Sequence, residues 1–208
     1  MSTEKTRAPE GIQTAGDTDV KGVNMAYRDL REWLAEAEKL GEVKTVKGAS
    51  WEREIGMAAE LVLRDDKAPC LVFDEVPGYP KGFRVLTNFF GGKRMNMTLG
   101  FPTGLSKLEL TDAHFAYQVE GNPTIPYEIV DDGPVFENVL EGDAIDVTKF
   151  PTPIWHEHDG GRYFGTGSYD VTQDPDSDWI NVGCYRVMVQ NEKEVNIYMS
   201  PGKHGRIH

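Results

Sequence analysis

The periodicity of the apolar residues changes once along this chain of 208 residues, and that change constrains the fold more than any single motif. Up to about residue 100, helical stripes alternate with short apolar runs, which is the pattern of an α/β domain. From Arg162 onward, the apolar residues follow the period of strands alone. The acidic stretch between these regions is interrupted by Pro123, Pro126, Pro134, Pro151 and Pro153. The sequence therefore predicts an α+β protein, with an α/β domain followed by a β domain.

The predicted α/β domain spans residues 24–120, and we expect the polar, Gly-rich residues 1–23 before it to be a flexible leader. A first helix is predicted to end at Gly41, because one helical stripe is formed by Leu30, Trp33, Leu34, Ala37 and Leu40. A second helix over residues 51–66 is expected to bury Ile55, Ala58, Ala59 and Val62. A further helix is predicted over residues 105–121, and strands over 42–46, 70–76 and 83–89.

The predicted β domain spans residues 121–208 and contains three antiparallel strands joined by tight turns. The three strands are predicted in the segments RYFGTGSYDVTQ, WINVGCYRVMVQ and VNIYMS, and the turns in DPDSD and NEKE. We interpret Gly160 and Gly161 as the turn that precedes the first strand.

The charge balance argues against two classes of partner. A net charge of −12 disfavours binding to nucleic acid or to an anionic membrane surface. No apolar segment reaches the length that a transmembrane helix needs. Cys70 and Cys184 each lie in an apolar run, which is typical of reduced, packed thiols. We therefore expect a soluble, cytoplasmic protein that binds neither nucleic acid nor membranes.

The common cofactor and metal motifs are incomplete in this chain. The Gly-Thr-Gly segment at 165–167 begins like a dinucleotide-binding motif, but Asp170 stands where the third glycine belongs. His156 and His158 could share one face of an extended strand and bind a metal ion, yet no third ligand lies beside them in the sequence. The Gly160-Gly161 turn follows immediately as well, and both features argue against a metal pair at these histidines.

The last segment gathers cations and imidazoles in an otherwise acidic protein. Residues 120–178 contain fourteen Asp and Glu against two Lys and Arg, whereas residues 186–206 contain four Lys and Arg against two acidic residues. A hairpin would bring Asn181 close to His204, and an amide oxygen and an imidazole are suitable ligands for a divalent ion. Arg186 would offer a charged fork to an anion. Strict alternation places Asn181 and Arg186 on opposite faces, unless a bulge at Gly183 relieves it. From the residues alone, a joint metal and anion site and a solvated, charged loop both remain open.

Four segments of the chain together resemble the UbiD family of prenylated-flavin-dependent (de)carboxylases: DLREWL, FPTPIWHEHDGGRYFGTG, WINVGCYR and SPGKHGRIH. They occur in the order of the family, and the 23 positions between Asn181 and His204 match the spacing of two of its metal ligands. The resemblance extends from about Asp29 to His208. It implies that the β domain is the beginning of a flavin-reductase-like split β-barrel.

The resemblance also implies a cofactor, prenylated FMN, whose phosphate is held through a divalent ion of the Mn²⁺ type and a K⁺ ion. Asn181 and His204 would be ligands of the divalent ion, and the backbone carbonyl of Trp179 a ligand of K⁺. Arg186 would help to position the substrate carboxylate and is the one catalytic residue expected within this chain. The positions expected to contact the cofactor are Thr166, Asn181, Val182, Gly183, Cys184, Tyr185, Arg186, Ser200, Lys203 and His204.

The function implied by the resemblance is the non-oxidative, reversible decarboxylation of an aromatic, heteroaromatic or α,β-unsaturated carboxylic acid. A flavin prenyltransferase would supply the cofactor, and the full-length protein would be a homo-oligomer. Family members carry the third metal ligand and the catalytic glutamates beyond the position of His208. We therefore expect this chain to be the N-terminal part of a longer enzyme and to be inactive by itself. The alternatives are a non-catalytic cofactor-binding or assembly subunit of a multi-subunit carboxylase, and a simple flavin-binding module.

Overall fold

The computed structural model describes residues 23–119, 130–165 and 168–208, which form a mixed α+β structure. The helices are α1 (Leu30–Lys39), α2 (Glu54–Leu63), α3 (Gly92–Thr98), α4 (Lys107–Val119) and α5 (His204–Ile207). The strands are β1 (Val43–Lys47), β2 (Cys70–Asp74), β3 (Val85–Thr87), β4 (Tyr163–Gly165), β5 (Asp170–Gln173), β6 (Ile180–Gly183), β7 (Arg186–Val189) and β8 (Val195–Tyr198). Short 3₁₀ helices occur at Pro134–Phe136, Gly142–Ala144 and Val147–Lys149. The predicted leader lies outside the described residues, except for Val23.

The described strands form three small sheets. One sheet has the order β1-β2-β3, a second has the antiparallel order β4-β7-β8, and β5 pairs with β6 in an antiparallel ribbon. The chain divides into two compact units that alternate along the sequence. Of the described residues, the first unit contains 23–44, 62–71, 86–119 and 130–133, and the second contains 45–61, 72–85, 134–165 and 168–208. A domain boundary near residue 120 stays a prediction.

Helix α1 begins and ends at the residues that its sequence signals indicate. The Asp29 side chain accepts a hydrogen bond from the Glu32 backbone N–H at 2.9 Å, which caps the helix. Gly41 has a φ of +71°, and its N–H donates to the Glu38 carbonyl, while the Glu42 N–H donates to the Ala37 carbonyl. This arrangement is a Schellman motif, and it confirms Gly41 as the predicted stop.

The first unit is held by a buried tryptophan and by an apolar cluster. Trp33 on α1 is fully buried, stacks on Phe89 with ring centroids 4.1 Å apart, and donates from Nε1 to the Thr98 hydroxyl at 2.8 Å. A separate cluster around α4 consists of Phe101, Leu110 and Ala113, with Val23, Met95, Leu99, Leu105 and Tyr117 packed against it. Helix α4 confirms the helix predicted over residues 105–121, as far as those residues are described.

The second unit is tied together by Arg162 and by a close backbone approach at Gly56. A Cβ on Gly56 would lie 2.2 Å from the carbonyl oxygen of Trp155, so α2 needs glycine at this contact. The Arg162 guanidinium lies over the Trp51 ring at 4.2 Å and donates to the Tyr79 hydroxyl and to the carbonyls of Thr152 and Phe150. These contacts fix the segment that leads into β4.

The strands of the predicted three-stranded meander are shorter and more numerous than expected. The segment RYFGTGSYDVTQ contains β4 and β5, and WINVGCYRVMVQ contains β6 and β7, which belong to different sheets. The second segment breaks after Gly183 because Tyr185 turns inward, where the residue as a whole is only 9% exposed. The prediction of one sheet of three strands is therefore wrong, although β8 and both turns lie where they were expected.

Three details of the helix predictions also differ from the structure. Leu30, predicted on the buried stripe of α1, is 57% exposed, because α1 begins at this residue. Ala58 and Val62 on α2 are only half-buried, whereas Ile55 and Ala59 are buried as predicted. Helix α3 was not predicted, because it buries Arg94, Asn96 and Thr98 and carries no apolar stripe. None of the helices in the described part of the chain has the length and apolar character needed to cross a bilayer.

Candidate functional site

The antiparallel ribbon of β5 and β6 places Asn181 directly opposite Thr172. Side chains alternate between the two faces of a strand, so Thr172 and Asn181 share one face. The Asn181 amide nitrogen, Nδ2, donates to the Thr172 hydroxyl at 3.2 Å and to the Tyr185 hydroxyl at 3.2 Å. No described residue donates a hydrogen bond to its Oδ1. The amide therefore uses both N–H groups within the protein and leaves its oxygen available as an acceptor.

Helix α5 lies against this ribbon and carries His204 at its first position. The backbone N–H of Gly205 donates to the same Tyr185 hydroxyl at 3.0 Å, so Tyr185 links Asn181 to the residue that follows His204. At the other end of α5, His208 Nδ1 lies 2.9 Å from the Thr172 hydroxyl. The structure thus brings β6 and the His204 segment together through the packing of α5, and not through the hairpin on which the prediction rested, because β6 does not share a sheet with β8.

Trp179 contacts the imidazoles of both His204 and His208. Its ring centroid is 4.8 Å from that of His204 and 4.6 Å from that of His208, and both contacts are edge-to-face. The Trp179 carbonyl accepts a hydrogen bond from the Asp174 N–H at 2.9 Å, which closes the turn between β5 and β6. A carbonyl oxygen has two lone pairs, so one remains for a cation.

Asp174 organises that turn with its carboxylate. It accepts hydrogen bonds from the Asp176 backbone N–H and the Ser177 hydroxyl, both at 3.0 Å. These bonds favour the ionised form and lower the pKa of the Asp174 carboxyl, the bond from Asp176 having the largest effect. The turn that presents Trp179 is therefore held by a carboxylate that stays charged at neutral pH.

Arg186 begins β7 and lies in the β4-β7-β8 sheet rather than in the sheet of Asn181. Its guanidinium carbon is 5.1 Å from the centre of the Tyr198 ring, which lies opposite it in the strand pair. The alternation that separated Asn181 from Arg186 on one strand does not apply, because the strand ends at Gly183. The chain passes into another sheet after Gly183, instead of forming the bulge that the sequence suggested there.

The remaining predicted positions lie on both sides of this break between β6 and β7. Val182 is exposed on the opposite face of the ribbon from Asn181, and Gly183 ends β6. Ser200 and Lys203 flank the turn before α5, where the Lys203 N–H donates to the Ser200 carbonyl. Thr166 lies outside the described residues. The assignment of these residues to a cofactor stays a prediction.

Two sequence interpretations of side chains change or gain detail. Cys184 is exposed, so the expectation of two packed thiols is wrong for this residue; Cys70 is buried. Cys184 faces outward because its neighbour Tyr185 takes the inward position between β6 and β7. His156 lies in a turn, 3.6 Å from a Glu60 carboxylate oxygen and 3.7 Å from one of Asp159. Across residues 23–119, 130–165 and 168–208, no group of three or more His, Cys, Asp and Glu side chains could hold a metal ion.

Sequence reasoning missed Thr172, Gly205 and His208 as supports of the candidate site. The pairing of β5 with β6 contained a signal for Thr172, because a hairpin closed at residues 174–179 places it opposite Asn181. Nothing in the local sequence indicates that Gly205 contacts a tyrosine 20 positions earlier.

Two family models match the chain and together cover most of it. The N-terminal domain of 3-octaprenyl-4-hydroxybenzoate carboxy-lyase matches residues 34–113, and the Rift-related domain of the same enzyme family matches residues 128–208. The chain belongs to the UbiD family. The UbiD Rift-related match includes Asn181, Tyr185, Arg186 and His204.

Individual relatives of this UbiD-family chain are decarboxylases. It is 30% identical over 176 residues to the pyrrole-2-carboxylic acid decarboxylase of Pseudomonas aeruginosa, covering 80% of this chain and 35% of that relative. The vanillic acid decarboxylase of Sedimentibacter hydroxybenzoicus in its closed form superposes with a TM-score of 0.73 at 28% identity, covering 82% of this chain and 37% of that one.

A third likeness is to a protein with a bound flavin. An evolved dimeric form of the UbiD-class enzyme HmfF from Pelotomaculum thermopropionicum, in complex with prFMN, superposes with a TM-score of 0.64 at 31% identity. The match covers 83% of this chain and 38% of that one. The chain thus spans between a third and two fifths of the length of each of these three proteins.

Proposed function

We propose that this chain forms the cofactor-holding, N-terminal part of a decarboxylase that acts on aromatic, heteroaromatic or α,β-unsaturated carboxylic acids with prenylated FMN. Membership of the UbiD family supports the reaction class, and the named relatives support the class of acid. The observation that carries the proposal for this chain is the Asn181 carboxamide, whose N–H groups are both bonded within the protein while Oδ1 accepts from no described residue.

The donor set fits a divalent ion beside a phosphate. A neutral amide oxygen from Asn181 and an imidazole from His204 suit a hard or borderline ion such as Mn²⁺. Lys203 and Arg206 add positive charge next to them, which suits the phosphate of a flavin nucleotide. The carbonyl of Trp179, with one lone pair left, would be a ligand of K⁺. The ligand that completes the divalent site is not among these residues.

Prenylated FMN, when bound, supplies the electron sink for loss of carbon dioxide. The residues of this chain would bind and orient. Arg186 would attract the substrate carboxylate with a charge that does not titrate, and the Tyr198 ring beneath it would hold the guanidinium plane. A split β-barrel completed beyond β8 is part of the same proposal. The exposed apolar side chains of Val171, Val182 and Ile197 support it, because further strands would cover them.

The test is the cofactor content of the 208-residue chain produced together with a flavin prenyltransferase. We expect the purified chain to carry flavin and Mn²⁺, and Asn181→Ala and His204→Ala to lose both without a change in the far-ultraviolet circular dichroism spectrum. Asn191→Ala and His158→Ala are matched controls, since both side chains are exposed and lie outside the candidate site. Full flavin and Mn²⁺ content in Asn181→Ala would refute the assignment.

A further inference from the structure

Tyr185 lies where the chain passes from the β5-β6 ribbon to the β4-β7-β8 sheet. It lies between the end of β6 at Gly183 and the start of β7 at Arg186. Its backbone N–H donates to the Asp170 carboxylate at 2.9 Å, and its carbonyl lies 2.6 Å from the Ser168 hydroxyl. Asp170 and Ser168 therefore hold the backbone of Tyr185 in place, and this fixes the position from which its side chain extends.

The Tyr185 ring is packed between two glycines. A Cβ on Gly183 would lie 2.5 Å from ring carbon Cε2, and a Cβ on Gly205 would lie 2.9 Å from the same atom. Distances below 3.0 Å are not compatible with a real side chain, so both positions need glycine for the ring to fit. Tyr185 as a whole residue is only 9% exposed, so its ring lies in the protein interior.

The phenolic oxygen joins the two elements that carry the candidate ligands. It accepts from Asn181 Nδ2 at 3.2 Å and from the Gly205 N–H at 3.0 Å, which uses both of its lone pairs. Thr172 holds the other N–H of the Asn181 amide. The orientation of the amide is set by these two hydroxyls together, whereas the position of Gly205, next to His204, is set by Tyr185.

We infer that Tyr185 is a positioning residue that holds the Asn181 carboxamide and the His204 segment in register for one shared ligand. The inference rests on the proposed function for the identity of that ligand, a divalent ion. Removing a group that orients a metal ligand through a hydrogen bond commonly weakens metal affinity by about 10–100-fold. Tyr185 would act in this way through its hydroxyl, while its ring fills the space between the glycines.

The first test compares Tyr185→Phe with the unmodified 208-residue chain, and uses Tyr169→Phe as the matched control. Tyr169 is 84% exposed, so its hydroxyl can be removed without loss of a buried contact. Loss of the hydroxyl acceptor should speed amide hydrogen exchange at Gly205 by about tenfold and shift the NMR signals of the Asn181 side-chain amide. Unchanged exchange and unchanged Asn181 signals in Tyr185→Phe would overturn the inference, whatever the chain binds.

The second test measures Mn²⁺ affinity by electron paramagnetic resonance of the free ion. Tyr185→Phe should weaken binding about 10–100-fold, and Tyr169→Phe should not change it. Thr172→Val should also weaken Mn²⁺ binding, because the Thr172 hydroxyl holds the other N–H of the Asn181 amide. Unchanged affinity in Tyr185→Phe, with binding lost in Asn181→Ala, would refute the positioning role alone. Equal binding by Asn181→Ala and the unmodified chain would instead refute the proposed metal site, and Gly205 exchange would still decide the role of Tyr185.

Discussion

Arg94 on α3 is fully buried and forms an ion pair with Glu42, which lies 52 positions earlier in the chain. The second terminal nitrogen of its guanidinium donates to the carbonyls of Ala68 and Asn88, at 3.0 and 3.2 Å. One side chain thus satisfies groups from three separate segments of the first unit. A buried charge of this kind is costly to leave without its partner.

We expect Arg94→Met to lower the free energy of unfolding by about 3–5 kcal/mol, because the Glu42 carboxylate and two carbonyls lose their donor. Urea denaturation measures the change. The matched control is Lys107→Met, whose ion pair with Asp66 joins two side chains that are each 77% exposed and should contribute little. Adding Glu42→Gln to Arg94→Met should recover part of the loss; a double variant that is no more stable than Arg94→Met would contradict the ion-pair explanation.

Helix α3 is the helix of the first unit that could not be predicted from the sequence. Helices α1 and α4 could be predicted, because Asp29 and Gly41 bound a helical stripe and Ser106 and Glu109 form a capping box. Helix α3 buries polar side chains instead, and their partners are distant in sequence. The Thr98 hydroxyl, for example, accepts a hydrogen bond from Trp33 Nε1, which lies 65 positions earlier. A single sequence carries no local sign of such pairings.

The two cysteines should differ sharply in reactivity. Cys70 is buried, and burial raises the pKa of its thiol to about 11, against a smaller opposing effect of Arg94. Because the thiolate is the reactive form, Cys70 should resist iodoacetamide at pH 8 until the protein unfolds. Cys184 is exposed, so mass spectrometry should find one label on the native chain, at Cys184. The Cys184→Ser variant should take up none without denaturant; rapid labelling of that variant would contradict the burial of Cys70.

The Arg162 guanidinium should be more than a positive charge in the second unit. It lies over the Trp51 ring and makes three hydrogen bonds from two of its nitrogens, which an ammonium group cannot reproduce. We expect Arg162→Lys to lower the free energy of unfolding by about 1–3 kcal/mol. Arg53→Lys, at an exposed position, is the control and should have no measurable effect. Equal stability of the two variants would show that charge alone suffices at position 162.

The sequence predicted that Asn181 and the His204 segment lie close together, but not the geometry of their contact, and their role as metal ligands stays a prediction. The pair of Asn181 and His204 followed from strand order and from the family resemblance, both of which are visible in the sequence. The strand break at Cys184 and Tyr185 was not visible, because the segment remains apolar through it and reads as one continuous strand. At the break Tyr185 contacts Gly205 of α5, which lies 20 positions later, so the partner is not visible in the local sequence.

Gly183 should be the position where that geometry is most sensitive to a single methyl group. In Gly183→Ala the new Cβ would overlap the Tyr185 ring, so the ring must move and its hydroxyl must release Asn181 or Gly205. Overpacking of this kind commonly costs about 1–3 kcal/mol, which urea denaturation would measure. Gly104→Ala is the control, because nothing lies within 4 Å of a Cβ there. In a Tyr185→Ala background, the cost of Gly183→Ala should largely disappear, since the ring that causes the overlap is absent. If the cost persists in that background, the Tyr185 ring is not what requires glycine at position 183.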